Sequence, residues 1–292
     1  MSEMTTAVNT RSELLLEGLI DYAGLFPPAS LSMTKVVQNW SSYLQCDDAW
    51  MLGRLIIPAQ QLDEFKESAA TLLPSDEQEP WQLSVLLPPA SETCFSKALQ
   101  HVVKFNESDC GALANVVEFK ASTTDEIDSA LSALHDDLFP FIELPIDKDP
   151  RGLIAALAGS VTGAKVRTGG VTPEAYPSVQ HLARFIHNCA IAQQTFKATA
   201  GMHHPVRHHN ATVGVDEFGF LAVFNATAAA RFDDATEEEL VTILEAPKVD
   251  MEWCSDEFVE QTRAQLFCSF GSCSFDDARD DLRTMNLLKE SK

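Results

Sequence analysis

Two short apolar stretches of the chain each carry a lysine and then break into glycine. The first, residues 164–170, reads AKVRTGG, and the second, residues 196–204, reads FKATAGMHH. A lysine ammonium is rarely buried without a partner or a chemical task. If the two stretches are neighbouring strands, Lys165 and Lys197 lie side by side, and each makes the other harder to protonate. Because a lysine of lowered pKa is nucleophilic, the pair predicts Schiff-base chemistry on a carbonyl compound.

The composition is that of an acidic globular protein. The chain has 292 residues, of which 45% are hydrophobic, and its formal net charge is −22. The hydrophobic share excludes general disorder, and the length suffices for one large domain. The negative charge argues against nucleic acid and membrane surfaces as partners. Cations inside the apolar stretches of so acidic a protein are expected to hold an anion, with pairing to interior carboxylates as the alternative.

The cysteines and the start of the chain bear on its cellular setting. The seven cysteines form no CxxC pair and no spacing typical of a zinc site. The first residues lack the basic and apolar regions of a signal peptide, and no apolar run is long enough to span a membrane. We therefore expect a cytoplasmic protein with reduced thiols, without a metal or another cofactor.

Strand and helix patterns alternate along almost the whole chain. Short, continuously apolar runs are typical of parallel strands that are covered on both faces. They predict strands at residues 20–26, 52–57, 82–87, 114–120, 141–144, 164–167 and 195–200, with a weaker eighth strand at 249–254. This alternation predicts an α/β fold, a (β/α)8 TIM-type barrel with extra C-terminal helices, as one domain over residues 1–292. An open doubly wound sheet is the second interpretation, but its glycine-rich phosphate motifs are missing.

Functional groups of such a barrel come from the carboxyl ends of its strands. The charged or hydroxyl residues assigned to these ends are Asp21, Tyr22, Arg54, Glu118, Lys120, Glu143, Lys165, Arg167, Lys197 and Thr199. Carboxylates that face two lysines and an arginine predict an acid–base site, because buried charges kept for structure alone are no better than packed hydrophobic groups. Arg54 and Arg167 are predicted to hold a phosphate or carboxylate of the substrate.

The loops after the late strands supply further candidates for substrate binding. Their backbone N–H groups are suited to an anion, although turns alone also require glycine. The loop residues assigned to the substrate are Gly169, Gly170, Gly201, His203, His204, Gly271 and Ser272, and Glu143 and Thr199 at the strand ends are assigned to it as well.

Four segments resemble the class I aldolases of the deoxyribose-phosphate aldolase type, a family of (β/α)8 barrels. LIDYAGL at 19–25 is similar to their first strand, and KVRTG at 165–169 is similar to their sixth-strand lysine motif. KATAG at 197–201 is similar to their seventh-strand lysine element, and FGSCS at 270–274 to their last phosphate-binding loop. The resemblance implies that Lys165 forms the Schiff base and that Lys197 lowers its pKa. It also implies a proton relay through Asp21, with Glu118 as the second carboxylate on position alone.

The chain also departs from the pattern of that family. Arg167 occupies a position that is small and polar there, Gly201 is followed by Met202 rather than by a second glycine, and the sequence after residue 205 is longer. The substrate is therefore expected only to be a small anionic carbonyl compound, either phosphorylated or carboxylated.

Two other functions remain open from the sequence. His203 and His204 with Glu118 and Glu143 could form the metal site of a metal-dependent lyase or isomerase. Alternatively, the barrel could be a non-catalytic binding or assembly protein. A homo-oligomer is compatible with either function.

Overall fold

A ring of eight parallel strands forms the centre of the protein, which we describe from a computed structural model covering residues 11–75 and 77–288. In chain order these strands are β1 (Ile20–Tyr22), β2 (Leu52–Pro58), β3 (Trp81–Leu86), β4 (Ala112–Lys120), β5 (Phe139–Glu143), β6 (Gly163–Arg167), β7 (Phe196–Thr199) and β10 (Phe267–Ser272). The sheet closes because β1 pairs with both β2 and β10, and β10 pairs with β7. The structure thus confirms a (β/α)8 barrel. Its predicted extent as one domain includes residues 1–10, 76 and 289–292, which lie outside the described residues.

Helices surround the barrel and begin at side-chain caps in several places. Their bounds are α1 (Arg11–Leu16), α2 (Met33–Tyr43), α3 (Leu62–Ala69), α4 (Phe95–Glu107), α5 (Thr124–Ala133), α6 (Arg151–Leu157), α7 (Val179–Ala192), α8 (Phe220–Phe232), α9 (Glu237–Glu245), α10 (Asp256–Gln265) and α11 (Phe275–Thr284). Thr236 and Glu239 form a reciprocal capping box at the start of α9, and Ser178 caps α7. In residues 11–75 and 77–288, no helix is long and apolar enough to cross a membrane.

Alternate residues of each strand face opposite sides of the barrel wall. On β6, the side chains of Ala164 and Val166 are fully buried in the hydrophobic core under the helices. Lys165 and Arg167 have the opposite parity and face the barrel interior. The main apolar core therefore lies between the strands and the helices, and the interior is left for polar groups.

The eighth barrel strand is not where the sequence predicted it. Residues 249–254 form an irregular connection, and the chain closes the barrel with β10. Ser269 and Gly271 interrupt the apolar pattern of β10 because they face the interior, where Ser269 bonds to Asp21 and Gly271 lies against Thr199. A search for continuously apolar runs therefore passes over this strand.

A hairpin and three helices separate β7 from β10. The hairpin consists of β8 (His208–Asn210) and β9 (Val215–Glu217), paired antiparallel outside the barrel. Glu217 of β9 accepts hydrogen bonds from Tyr176 and Asn210, and the same Tyr176 hydroxyl lies 3.0 Å from the carbonyl oxygen of Gly170. These bonds hold the hairpin against the loop that follows β6.

Candidate active site

The two lysines singled out in the sequence lie next to each other inside the barrel. Lys165 of β6 and Lys197 of β7 are direct partners in the register of the two parallel strands. Lys165 is 3% exposed and Lys197 is 0% exposed. Three buried carboxylates, those of Asp21, Glu118 and Glu143, neutralise this positive charge.

Glu118 bridges the two lysines. Its Oε2 lies 2.8 Å from Lys165 Nζ and its Oε1 lies 2.7 Å from Lys197 Nζ. The hydroxyl of Ser84 on β3 also donates to Oε1, at 2.6 Å. Burial alone would raise the pKa of Glu118, but the two lysines outweigh burial and hold that pKa well below its ordinary value. Glu118 is therefore a carboxylate in the resting protein.

Asp21 holds the other side of Lys197. Its Oδ2 forms a very short ion pair with Lys197 Nζ and accepts a hydrogen bond of 2.9 Å from the hydroxyl of Ser269. Its Oδ1 accepts from the backbone N–H of Arg54, at 2.8 Å. A Cβ at Gly53 would lie 2.5 Å from this Oδ1 and 2.9 Å from a backbone carbonyl oxygen, so the carboxylate occupies the space a side chain would need.

The electrostatics of Lys197 differ from the sequence expectation that each lysine makes the other harder to protonate. Burial acts to lower the pKa of Lys197, but the charges of Asp21 and Glu118 outweigh it and raise that pKa. Its ammonium also lies 5.4 Å from the centre of the Phe141 ring. Lys197 is thus a fixed cation next to Lys165, because Asp21 and Glu118 both contact its ammonium. These contacts join distant parts of the chain and could not be predicted from the sequence.

Glu143 connects the lysine pair to the mouth of the barrel. Its Oε2 lies 3.1 Å from Lys165 Nζ, and its Oε1 lies 3.1 Å from Arg167 Nε and 3.3 Å from Lys120 Nζ. Burial opposes ionisation, yet the three cations lower the pKa of Glu143 to about 2. The ion-paired network therefore runs continuously from Asp21 to Arg167.

A cavity of about 210 Å³ opens over this network at the carboxyl ends of the strands. Its lining includes Lys165, Glu118 and Arg167, but neither Lys197 nor Asp21. The two lysines are therefore not equivalent. Lys165 is the one that a molecule in the cavity would meet.

The walls of this cavity differ in character. Lys165 and Arg167 of β6 lie on one wall, and Phe26, Ile56 and Leu86 lie on the wall formed by β1, β2 and β3. In the strand order of the closed barrel, β2 is four strands from β6 in either direction. The charged and apolar walls therefore face each other.

The backbone at the end of β7 completes the lining. Ala200 and Gly201 have φ values of 65° and 70°, so two consecutive residues adopt the left-handed conformation. This conformation is unfavourable for alanine and is found mostly where the surrounding structure imposes it, often at functional sites. Both residues line the cavity.

Apart from the arginines, the residues predicted to bind the substrate fall into two groups. Those that line the cavity are Thr199 at the end of β7 and the loop residues Gly170, Gly201, His203 and Gly271. Glu143, which contacts Lys165, is not part of the lining. The loop residues Gly169, His204 and Ser272 are also outside it.

Each of these three loop residues has a structural contact instead. A Cβ on Gly169 would lie 2.7 Å from the ring of Tyr176, so this glycine permits close packing of the loop. His204 Nδ1 lies 2.6 Å from Asp281, and Ser272 bonds to His203 Nδ1 at 3.0 Å. Ser272 therefore positions a residue of the cavity without reaching it.

Arg54, which the sequence predicted to bind the substrate, does not line the cavity. Arg54 is near the amino end of β2, where its Nε donates to Asn115 at 3.3 Å, and Asn115 donates to Gln82 at 3.0 Å. Because the cavity lies at the carboxyl ends, the guanidinium of Arg54 is in the other half of the barrel. Only its backbone N–H contributes to the site, through Asp21.

The histidine and carboxylate groups of the metal-dependent alternative do not form a ligand set. Glu118 and Glu143 are held by lysines, and His204 turns away to Asp281. In the part of the chain that the structure describes, no three histidine, cysteine, aspartate or glutamate side chains lie where they could hold a metal ion.

Sequence reasoning missed two hydroxyl groups that support the carboxylates. Ser84 bonds to Glu118, and Ser269 bonds to Asp21. The available signal was a serine inside each strand whose two sequence neighbours are apolar. It also missed the apolar wall, because Ile56 and Leu86 are indistinguishable by sequence from core residues.

Comparison with known proteins adds little to this picture. No family model matches the chain, and no curated protein matches it significantly. Among solved structures, it is similar to a citrate lyase from Burkholderia xenovorans LB400, with 11% sequence identity and a TM-score of 0.44. The similarity covers 88% of this chain and 86% of that chain. At this level the likeness carries no argument about activity, so the function has to be inferred from the site itself.

Proposed function

We propose that the protein is an enzyme, a class I aldolase-type lyase in which Lys165 forms a Schiff base with a small anionic carbonyl compound. The single observation that carries the proposal is the different placement of two adjacent lysines. Lys165 borders the cavity, whereas Lys197 is fully buried and paired with two carboxylates. A nucleophile has to reach the substrate, and of the two lysines Lys165 is the one that lines the cavity.

The first stage is addition of the amine to the carbonyl carbon. Lys165 passes a proton to one of the carboxylates that contact it, Glu118 or Glu143, and its lone pair forms the new C–N bond. The carbonyl oxygen takes up one proton from the nitrogen and a second from the carboxylic acid formed in the first transfer, and it leaves as water. The nitrogen keeps its last proton. The product is an iminium cation on Lys165, formed with release of one water molecule.

The second stage breaks the C–C bond. The iminium accepts the electron pair of that bond and becomes a neutral enamine, while the hydroxyl group on the neighbouring carbon loses its proton and becomes a carbonyl. Glu118 is the nearest charged base to Lys165 that also lines the cavity. Protonation of the enamine and hydrolysis by one water molecule then return Lys165 to its starting form.

Arg167 is the residue assigned to the anionic group of the substrate. It lines the cavity beside Lys165, and its side chain is 42% exposed while Nε bonds to Glu143. The remaining guanidinium nitrogens are suited to a carboxylate or phosphate. This places the anion on the same wall as the Schiff base.

Borohydride trapping tests the proposal. The protein is incubated with acetaldehyde, pyruvate or glyceraldehyde 3-phosphate and then reduced, which converts an iminium into a stable secondary amine. We expect one adduct by intact mass, located on Lys165 by peptide mapping.

Two variants make the assignment specific. Lys165→Leu is expected to lose the adduct and to lower turnover by on the order of 10³-fold or more. Lys120→Leu removes an exposed lysine at the barrel mouth and is expected to keep the adduct. If Lys165→Leu still forms the adduct, Lys197 becomes the next candidate nucleophile. If no carbonyl compound is trapped by the native protein, a non-catalytic binding role replaces the lyase.

A further inference from the structure

A second and larger cavity adjoins the candidate active site. This groove has a volume of about 640 Å³ and lies between the carboxyl ends of β2 and β3 and the face of α4. Its apolar lining includes Pro58, Ala59, Leu87, Pro88 and Ala98. Charged side chains in the lining, Glu92 and Lys97 of the α4 region, are exposed. The groove thus has an apolar floor beneath exposed charges.

The groove and the active-site cavity share two side chains. Phe26 and Leu86 line both spaces, and both are only partly buried. They form the boundary between a cavity of about 210 Å³ that contains the reactive lysine and a groove about three times that volume. A ligand that extends past these two side chains would occupy both the active-site cavity and the groove.

The groove opens from the apolar side of the cavity, opposite the wall that carries Lys165 and Arg167. Arg167 and Lys165 are on β6, and the groove opens past β2 and β3, on the opposite wall. A substrate whose anionic group contacts Arg167 would therefore have its other end directed at Leu86. That end meets apolar side chains, where a polar substituent would lose hydrogen bonds to water.

From this arrangement we infer that the substrate is amphiphilic. It is a carbonyl compound with a carboxylate or phosphate near the carbonyl and an apolar arm that lies in the groove beyond Phe26 and Leu86. The inference rests on the proposed function for the position of the carbonyl, but the groove itself does not depend on it.

The test uses two homologous series of ligands. The first is straight-chain 2-keto acids of increasing length, trapped on the protein with borohydride at limiting concentration and mapped to Lys165. The second is straight-chain carboxylic acids of the same lengths, which form no iminium and whose binding is measured by calorimetry. Each methylene that enters the groove is expected to improve trapping and binding roughly threefold to fourfold.

Filling the groove provides the specific variant. Ala98 lies on the wall of α4 that faces the groove, so Ala98→Trp is expected to abolish the dependence on chain length while short keto acids are still trapped. Ser96→Trp is the matched control, because Ser96 is exposed on the same helix and does not line the groove. It should retain the full dependence on length.

The outcomes separate this inference from the proposed function. If trapping on Lys165 is independent of chain length, the inference of an amphiphilic substrate is wrong and the proposed lyase activity is unaffected. The same conclusion follows if trapping depends on chain length equally in the wild-type protein and in Ala98→Trp. Length-dependent binding of the carboxylic acids without any trapping supports the groove and overturns the Schiff base. If neither series binds, both are wrong.

Discussion

The interior of the barrel is polar at both ends, but the two ends use different chemical groups. The carboxyl half holds Lys165 and Lys197 among three carboxylates, and all five side chains are almost completely buried. The amino half holds Arg54, whose partly exposed side chain donates to the amide of Asn115, and Asn115 in turn donates to the amide of Gln82.

This difference shows what the carboxyl half requires beyond stable packing. The amides of the amino half satisfy one another's hydrogen bonds without the desolvation of several charges. Buried ion pairs are costly to desolvate, and replacing them by well-packed groups is often neutral or stabilising. A barrel that needed only a filled interior could use amides at both ends. The charges of the carboxyl half are therefore those expected if the proposed Schiff-base chemistry takes place there, and the comparison can be tested by measuring stability at each end.

The largest effect is expected from Glu118→Gln. The amide cannot neutralise Lys165 and Lys197, so two ammonium groups are left in the barrel with less negative charge around them. We expect the free energy of unfolding in urea to fall by about 3–5 kcal/mol, as for other broken buried pairs. Glu107→Gln, at an exposed position of α4, should change it by less than about 0.5 kcal/mol. Equal losses in the two variants would contradict the ion-pair account.

Acid should weaken the network through Glu143. Its pKa falls from 4.5 to about 2 on folding, so its contribution to stability is present above about pH 4.5 and is lost as the pH falls toward 2. The full contribution is on the order of 3 kcal/mol. Urea unfolding at pH 7, 4 and 3 should show the wild-type protein approaching Glu143→Gln as the pH falls. Because the pKa of Lys197 is raised, its pairing is lost only at strongly alkaline pH and should not change between pH 6 and 9. If the difference in free energy of unfolding between the wild-type protein and Glu143→Gln stays constant down to pH 3, this role of Glu143 is excluded.

Replacement of each lysine by methionine should lower the free energy of unfolding by a different amount. Lys165 borders the cavity, so after its replacement water can hydrate the carboxylates that it had neutralised. Lys197 is fully buried and does not line the cavity, so its carboxylate partners would stay without water. We expect Lys197→Met to destabilise the protein by about 1–2 kcal/mol more than Lys165→Met, measured by urea unfolding at pH 7. The reverse order would mean that Lys165 is the structural member of the pair.

The smallest effect is expected at the amino end. Arg54→Gln keeps an amide that can bond to Asn115, so stability should change by less than about 1 kcal/mol. Borohydride trapping on Lys165 should be unchanged, because only the backbone N–H of Arg54 reaches Asp21. A large loss of trapping in this variant would show that the two halves of the barrel are coupled.

The sequence was sufficient for features that follow from local pattern. Parallel strands with apolar alternate residues place Lys165 and Lys197 on one inner surface, and the barrel follows from the alternation of elements along the chain. The sequence was insufficient to predict how far along the barrel axis each inward-facing side chain lies. Arg54 is near the start of β2, and only the stagger between neighbouring strands shows that its level lies below the cavity. The eighth strand was missed for a related reason, since its inward residues are small and polar.

Long-range contacts were also beyond the reach of the sequence. The pairing of Lys197 with Asp21 joins residues that are 176 positions apart in the chain, and it raises the pKa of the lysine where the sequence predicted a lowered one. The hairpin over the β6 loop depends on Glu217 and Tyr176, which no local pattern connects.

The candidate active site also requires a residue without a side chain at position 53. Because the Asp21 carboxylate and a backbone carbonyl oxygen fill the space beside it, even alanine there would push against the group that holds Lys197. In a screen of all single substitutions, position 53 should therefore tolerate change as poorly as position 21. A glycine that looks like an ordinary flexible residue would be inherited together with that aspartate, and homologues that have lost one should be free to lose the other.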